Sequence, residues 1–124
     1  MNLVDSSCWL EYFAGTQLSE KYARAIEDTE NLIVPTISLY EVFKRVLSQT
    51  NEDSALQAIA QMQQARVVSA TPSIALAAAV LSLQHKLPMA DSIILATARE
   101  AGATLWTQDE DFKGIDGVKY FPKS

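Results

Sequence analysis

Four carboxylates, Asp5, Glu41, Asp91 and Asp109, fall where the chain leaves a strand-like run or enters a helical one, separated by 36, 50 and 18 residues. Unpaired carboxylates brought to one place repel each other and hold protons more tightly, unless a cation neutralises them. A set of hard oxygen donors without His or Cys suits Mg2+ or Mn2+ rather than zinc. Such an ion lowers the pKa of a bound water and acts as a Lewis acid. Each acid also has a purely structural alternative. Asp5 precedes two serines and suits a helix cap. Ser38-Leu39-Tyr40-Glu41 fits a capping box, in which the glutamate bonds back to the cap amide. Asp91 could complement a helix dipole, and Asp109-Glu110-Asp111 reads equally as a solvated acidic turn.

The elements that must position these acids alternate between short apolar runs and longer helical ones. Strands are expected over residues 1–5, 32–34, 67–68 and 103–107, with a further edge strand over 118–121. Helices are expected from residues 6 or 7 to about 15, then over 19–28, 38–47, 51–64, 72–84 and 90–101. Thr71-Pro72 supplies a cap and a first-turn proline, and Gly102 stands where a left-handed C-cap is wanted. The helix over 72–84 is apolar on nearly every side and is expected to be buried all round. Strands joined by crossover helices imply a three-layer α/β domain, with a parallel sheet of about four to five strands covered on both faces. Ligands gather beyond the carboxyl ends of such strands. Asp5 and Asp109 follow the first and fourth strands, while Glu41 and Asp91 open the helices after strand two and before strand four.

Composition narrows the choices further. The chain has 124 residues, 48% of them hydrophobic and 20% charged, which suits one folded domain spanning residues 1–124. Cys8 and His85 are the sole residues of their types, excluding an internal disulfide and a Cys/His zinc site. The most apolar stretch, residues 74–83, is too short to cross a bilayer, and no basic-then-apolar leader opens the chain. A cytoplasmic protein without a membrane partner is therefore expected. The formal charge of −5 argues against a binder that grips nucleic acid through a basic surface. Lys44, Arg45, Lys86, Arg99 and Lys113 are available for phosphate contacts, with solvated surface as their default fate. The cluster Trp9, Tyr12, Phe13, Tyr40 and Phe43 is available to an interface, with core packing as the default for most of it.

At the acids the sequence resembles the PIN-domain family, and within it the VapC-type toxins of toxin–antitoxin pairs. Asn2-Leu3-Val4-Asp5-Ser6-Ser7 is similar to the family's opening strand and Asp-Thr/Ser-Ser/Asn motif. The segment Val34-Pro35-Thr36-Ile37-Ser38-Leu39-Tyr40-Glu41-Val42 resembles the one that delivers the second acid. Leu87-Pro88-Met89-Ala90-Asp91-Ser92-Ile93-Ile94-Leu95-Ala96-Thr97-Ala98 is similar to the most diagnostic block, and Gly102-Ala103-Thr104-Leu105-Trp106-Thr107-Gln108-Asp109-Glu110-Asp111-Phe112 to the closing one. The resemblance implies a PIN-like fold and a Mg2+- or Mn2+-dependent endoribonuclease. Asp5, Glu41, Asp91 and Asp109 match the acidic quartet. Asp5 and Asp91 are then the direct metal ligands, with Glu41 and Asp109 binding directly or through water. Ser7 and Thr107 match supporting hydroxyls, and Asp111 is the alternative to Asp109. The resemblance also implies an RNA substrate, a VapB-like antitoxin and a homodimer.

Other classes fit less well. A catalytically weak RNA-binding or regulatory module of the same fold would be expected to lack one of the acids, and all four are present. A receiver domain needs an Asp after strand three, where Val67-Val68-Ser69-Ala70-Thr71 supplies none. A phosphatase with a nucleophilic aspartate needs Asp-x-Asp after strand one, and Asp5-Ser6-Ser7 departs from it.

Overall fold

The strands are rich in Leu, Ile and Val, and their side chains alternate between two apolar faces. In the computed structural model, which describes residues 1–123, five strands form one parallel sheet. They are β1 (Asn2–Val4), β2 (Leu32–Pro35), β3 (Arg66–Val68), β4 (Thr104–Thr107) and β5 (Val118–Tyr120). The helices are α1 (Ser6–Ala14), α2 (Ser19–Glu27), α3 (Thr36–Gln49), α4 (Glu52–Met62), α5 (Pro72–His85) and α6 (Met89–Glu100). Leu3, Ile33 and Leu105 join a core with α5 and α6. Their neighbours Val4 and Val34 turn to the opposite face, with Trp9, Tyr22, Val42 and Met62 from α1 to α4. This period-2 alternation produces the three layers.

The strand order is β3-β2-β1-β4-β5. The chain moves outward from β1 to β3, then returns to place β4 on the other side of β1. The carboxyl ends of β1 and β4 therefore flank the point where the winding reverses, the crevice in which open α/β sheets hold ligands. The register Val4↔Trp106 brings Asp5 and Thr107 to the same end of the sheet.

Four expectations need correction. Helix α5 is not buried all round. Ile74, Ala78 and Leu81 face the core, but Leu76, Val80 and Leu83 are 72%, 55% and 86% exposed. A single neighbouring layer can cover only one side of a helix, so an all-apolar sequence leaves an apolar row outside. Helix α3 begins at Thr36, two residues earlier than expected, because Pro35 closes β2 in an extended conformation from which the helix starts at once. The early start places Ser38 inside the first turn rather than at the cap. Tyr40 is 62% exposed instead of joining the core, with the Lys44 ammonium 5.6 Å from its ring centroid, and Phe43 is half-buried. In α4 the sequence puts Leu56, Ile59 and Ala60 on the apolar face, but the buried residues are Ala55, Ala58 and Met62, which leaves Leu56 outside.

Candidate metal centre

Asp5 is set by the end of β1. Its backbone N–H donates to the Trp106 carbonyl at 2.8 Å, which continues the strand pairing by one residue. The next residue is already helical, so the carboxylate must serve the helix start as well. Oδ1 accepts from the Ser6 N–H at 2.8 Å, and Oδ2 accepts from the Ser7 and Thr107 hydroxyls at 3.0 and 2.9 Å. The capping and rim readings of Asp5 thus hold together. The side chain is 4% exposed. Burial pushes its pKa up to about 6 against the lowering effect of the Thr107 and Ser7 hydroxyls, and the nearby Glu41 charge adds to the rise.

Thr107 holds two acids at once. Its hydroxyl donates to Asp5 and accepts the Asp109 N–H at 3.0 Å. Asp109 Oδ1 in turn accepts from the Asp111 N–H at 2.9 Å, forming the short 3-10 turn Glu110–Phe112. Glu41 lies in the second turn of α3 and accepts from the Ser6 hydroxyl at 2.7 Å. It makes no capping box. The Ser38 hydroxyl is buried without a partner among the described residues.

Asp91 stands in the first turn of α6, half-buried and facing the other acids. Its pKa is pushed up to about 8, first by burial, then by the charges of Asp5 and Asp109, with Glu41 contributing less. Carboxylate oxygens of Asp91, Asp109 and Asp111 lie within 4.8 Å of one another. Asp5, Glu41, Asp91 and Asp109 all line one cleft of about 900 Å3. Asp111 is more exposed and lines an adjoining cavity of about 550 Å3 together with Asp109. Both candidates for the fourth acid therefore sit beside Asp91, with Asp109 facing the main cleft. Like charges held this closely, with oxygen donors alone, fit a hard divalent cation.

Other residues at the rim were not singled out in the sequence. Ser6 fixes Glu41. Gln108 is buried, accepts from the Tyr22 hydroxyl at 2.9 Å and donates to Glu11 at 3.4 Å, tying the exit of β4 to α1 and α2. Its signal was positional: two residues after Trp106, it must turn toward the same layer. Of the five basic residues considered, Arg45 lines the cleft. Lys44 turns onto Tyr40, and Arg99 donates to the Asp116 carbonyl at 3.3 Å. Lys123, not foreseen, lines both cavities. His85 ends α5, and Cys8 is buried, with its thiol pushed up to about 12 by desolvation.

Comparison with known proteins agrees with this geometry. No curated protein matches the chain by sequence. A chain of a toxin–antitoxin complex from Klebsiella pneumoniae superposes with a TM-score of 0.82 at 25% identity, covering 98% of this chain and 99% of that one. VapC20 of Mycobacterium tuberculosis, a toxin that cleaves the sarcin–ricin loop, gives 0.76 at 18% identity over 94% and 95% of the two chains. A chain of DNA-bound VapBC from Salmonella typhimurium gives 0.74 at 14% identity, covering 98% of each chain. The PIN domain family model matches residues 3–118, and with the winding reversal and its acid rim in place the chain belongs to the PIN domain family.

Proposed function

We propose that this chain is the toxin of a VapBC-type toxin–antitoxin pair and acts as a metal-dependent endoribonuclease. The observation that carries the reading is the convergence of Asp5, Glu41, Asp91 and Asp109 on one cleft at the winding reversal, with Asp5 and Asp91 both raised in pKa. Asp5 and Asp91 would hold Mg2+ or Mn2+ directly, with Glu41 and Asp109 completing the site directly or through water. The ion, once bound, supplies an activated water and charge stabilisation for phosphodiester hydrolysis.

The chain's own residues prepare the site. A carboxylate has about four lone-pair positions, and Asp5 uses three of them on Ser6, Ser7 and Thr107. The position left free is on Oδ1, so the fixed hydrogen bonds orient that oxygen as the donor. Ser6 leaves Glu41 Oε2 free by the same logic. Ser7 and Thr107 act as positioning residues, since they hold Asp5 rather than face the reacting phosphate.

The partner we propose is a VapB-like antitoxin in the cytoplasm, and the outward row Leu76, Val80 and Leu83 supports a homodimer. Among the described residues no helix is long and apolar enough to cross a membrane. Purified protein should cleave structured RNA with Mg2+ or Mn2+ and stop in EDTA. Full activity of Asp91→Asn, or of the metal-free protein, would sink the mechanism.

A further inference from the structure

The cleft does not end at the acids. It runs on between α1 and the α3–α4 hairpin, where Gln49 at the end of α3 and Gln57 and Gln61 on α4 line it. Gln57 and Gln61 are one turn apart on one face of α4, roughly 6 Å along the axis. Among the described residues, none of the three amides hydrogen-bonds to another side chain. At its other end the cleft continues into the second cavity, the two sharing Ser7, Gln108, Asp109 and Lys123. The acids thus lie along a trough that a second cavity continues, a shape for a polymer rather than a mononucleotide.

We propose that the α3–α4 arm of this trough reads the bases of a single-stranded RNA segment beside the cut, with Gln49, Gln57 and Gln61 as specificity-determining residues. The inference rests on the nuclease reading and names how its substrate is selected. An uncharged amide offers a donor and an acceptor together, which match base edges, and it gains nothing from a phosphate charge. Unstacked RNA bases present those edges fully. Arg45, four residues after Glu41 on α3, is placed to take a phosphate between the reading arm and the acids. The α4 wall, Ser54, Gln57, Ala58 and Gln61, is polar or small, while Leu10, Phe13 and Val46 form the apolar side of the same cleft.

The test uses the Asp91→Asn protein, so that bound RNA is not consumed, and fluorescently labelled A, C and U decamers. The parent is expected to prefer one decamer by tenfold or more. Adding Gln57→Ala and Gln61→Ala should weaken that decamer about 30-fold or more, since each lost bidentate base contact costs roughly 5- to 150-fold, and change the others less than threefold. Gln64→Ala, just past the arm, should change none. Equal binding of the three decamers by the parent, or an equal loss for all three in the double variant, overturns the assignment. So does unchanged RNA selectivity with weakened binding of a protein partner, which would give the arm to that partner. Selective, glutamine-dependent binding by a wild-type chain that never cleaves RNA would remove the nuclease reading while leaving the reading arm in place.

Discussion

Replacing Asp5 by Asn should change stability in opposite directions at high and low pH when divalent metal is absent. In the fold Asp5 keeps its proton up to about pH 6, against an ordinary value of 3.8. The folded chain therefore binds a proton that the unfolded chain releases between those values. Its contribution to stability is full below 3.8 and is lost as pH rises through about 6. A rise of about two units corresponds to about 3 kcal/mol. Asn resembles the protonated acid and escapes that loss, and its Oδ1 can still accept from Ser6. Its amide NH2 cannot accept from the Ser7 and Thr107 hydroxyls, and each disrupted bond costs about 1 kcal/mol. Asp5→Asn should then be more stable than wild type by about 1 kcal/mol at pH 8 and less stable by about 2 kcal/mol at pH 4. For a chain of this size that is roughly +3 to +5 °C and −6 to −10 °C in Tm. Thermal melts in EDTA, followed by circular dichroism, read the difference directly. Magnesium at pH 8 should stabilise wild type more than the variant, which keeps the other acids but loses one charge from the site. A Tm difference that does not vary with pH would refute the reasoning and reduce Asp5 to a helix cap.

Three further outcomes are expected. RNA affinity should depend weakly on salt, because Arg45 and Lys123 are the cations lining the trough; two phosphate contacts on a single strand give a log–log slope of about −1.4, and a slope near that of a basic binder would contradict the electrostatics. Ser6→Ala should raise the metal concentration needed for half-maximal cleavage several-fold, with Ser6→Thr restoring it, since Glu41 loses the 2.7 Å donor that holds it; an unchanged metal titration would show that Glu41 needs no such support. Tyr22→Phe should destabilise the fold by about 1–3 kcal/mol in urea denaturation, because the buried Gln108 carbonyl is left without its donor; wild-type stability would mean that water replaces the hydroxyl.

The acids were legible because the information that places them is local. Asp5 ends an alternating apolar run, Asp109 follows another, and a parallel sheet collects such positions at one edge. Glu41 shows where local reading is ambiguous. Ser38 and Glu41 have capping-box spacing, and only the extended Pro35, which starts the helix at Thr36, decides that Glu41 bonds across to Ser6 instead. The outer row of α5 was misread because composition reports how apolar a helix is, but not how many layers surround it. Lys123 and the three glutamines carry no local signal. Their place in the trough depends on how the α3–α4 hairpin and the segment after β5 approach α1, which is a tertiary fact.

The distribution of charge ties these observations together. Of the formal −5, the one cleft carries −3, from Asp5, Glu11, Glu41, Asp91 and Asp109 against Arg45 and Lys123. The rest of the surface is close to neutral and offers no broad attraction for a polyanion. Without metal, the rim repels phosphate at the place where phosphate must sit, and burial of Asp5 among like charges strains the fold. A divalent ion bound by these acids reverses both effects, since its charge offsets the local field and the carboxylates can ionise without penalty. RNA binding, stability and catalysis should then be linked through the same ion. On the proposed function, discrimination between RNA sequences would come from the trough's uncharged walls. The acidic balance that seemed to exclude nucleic acid instead favours recognition by shape and base edge over recognition by charge.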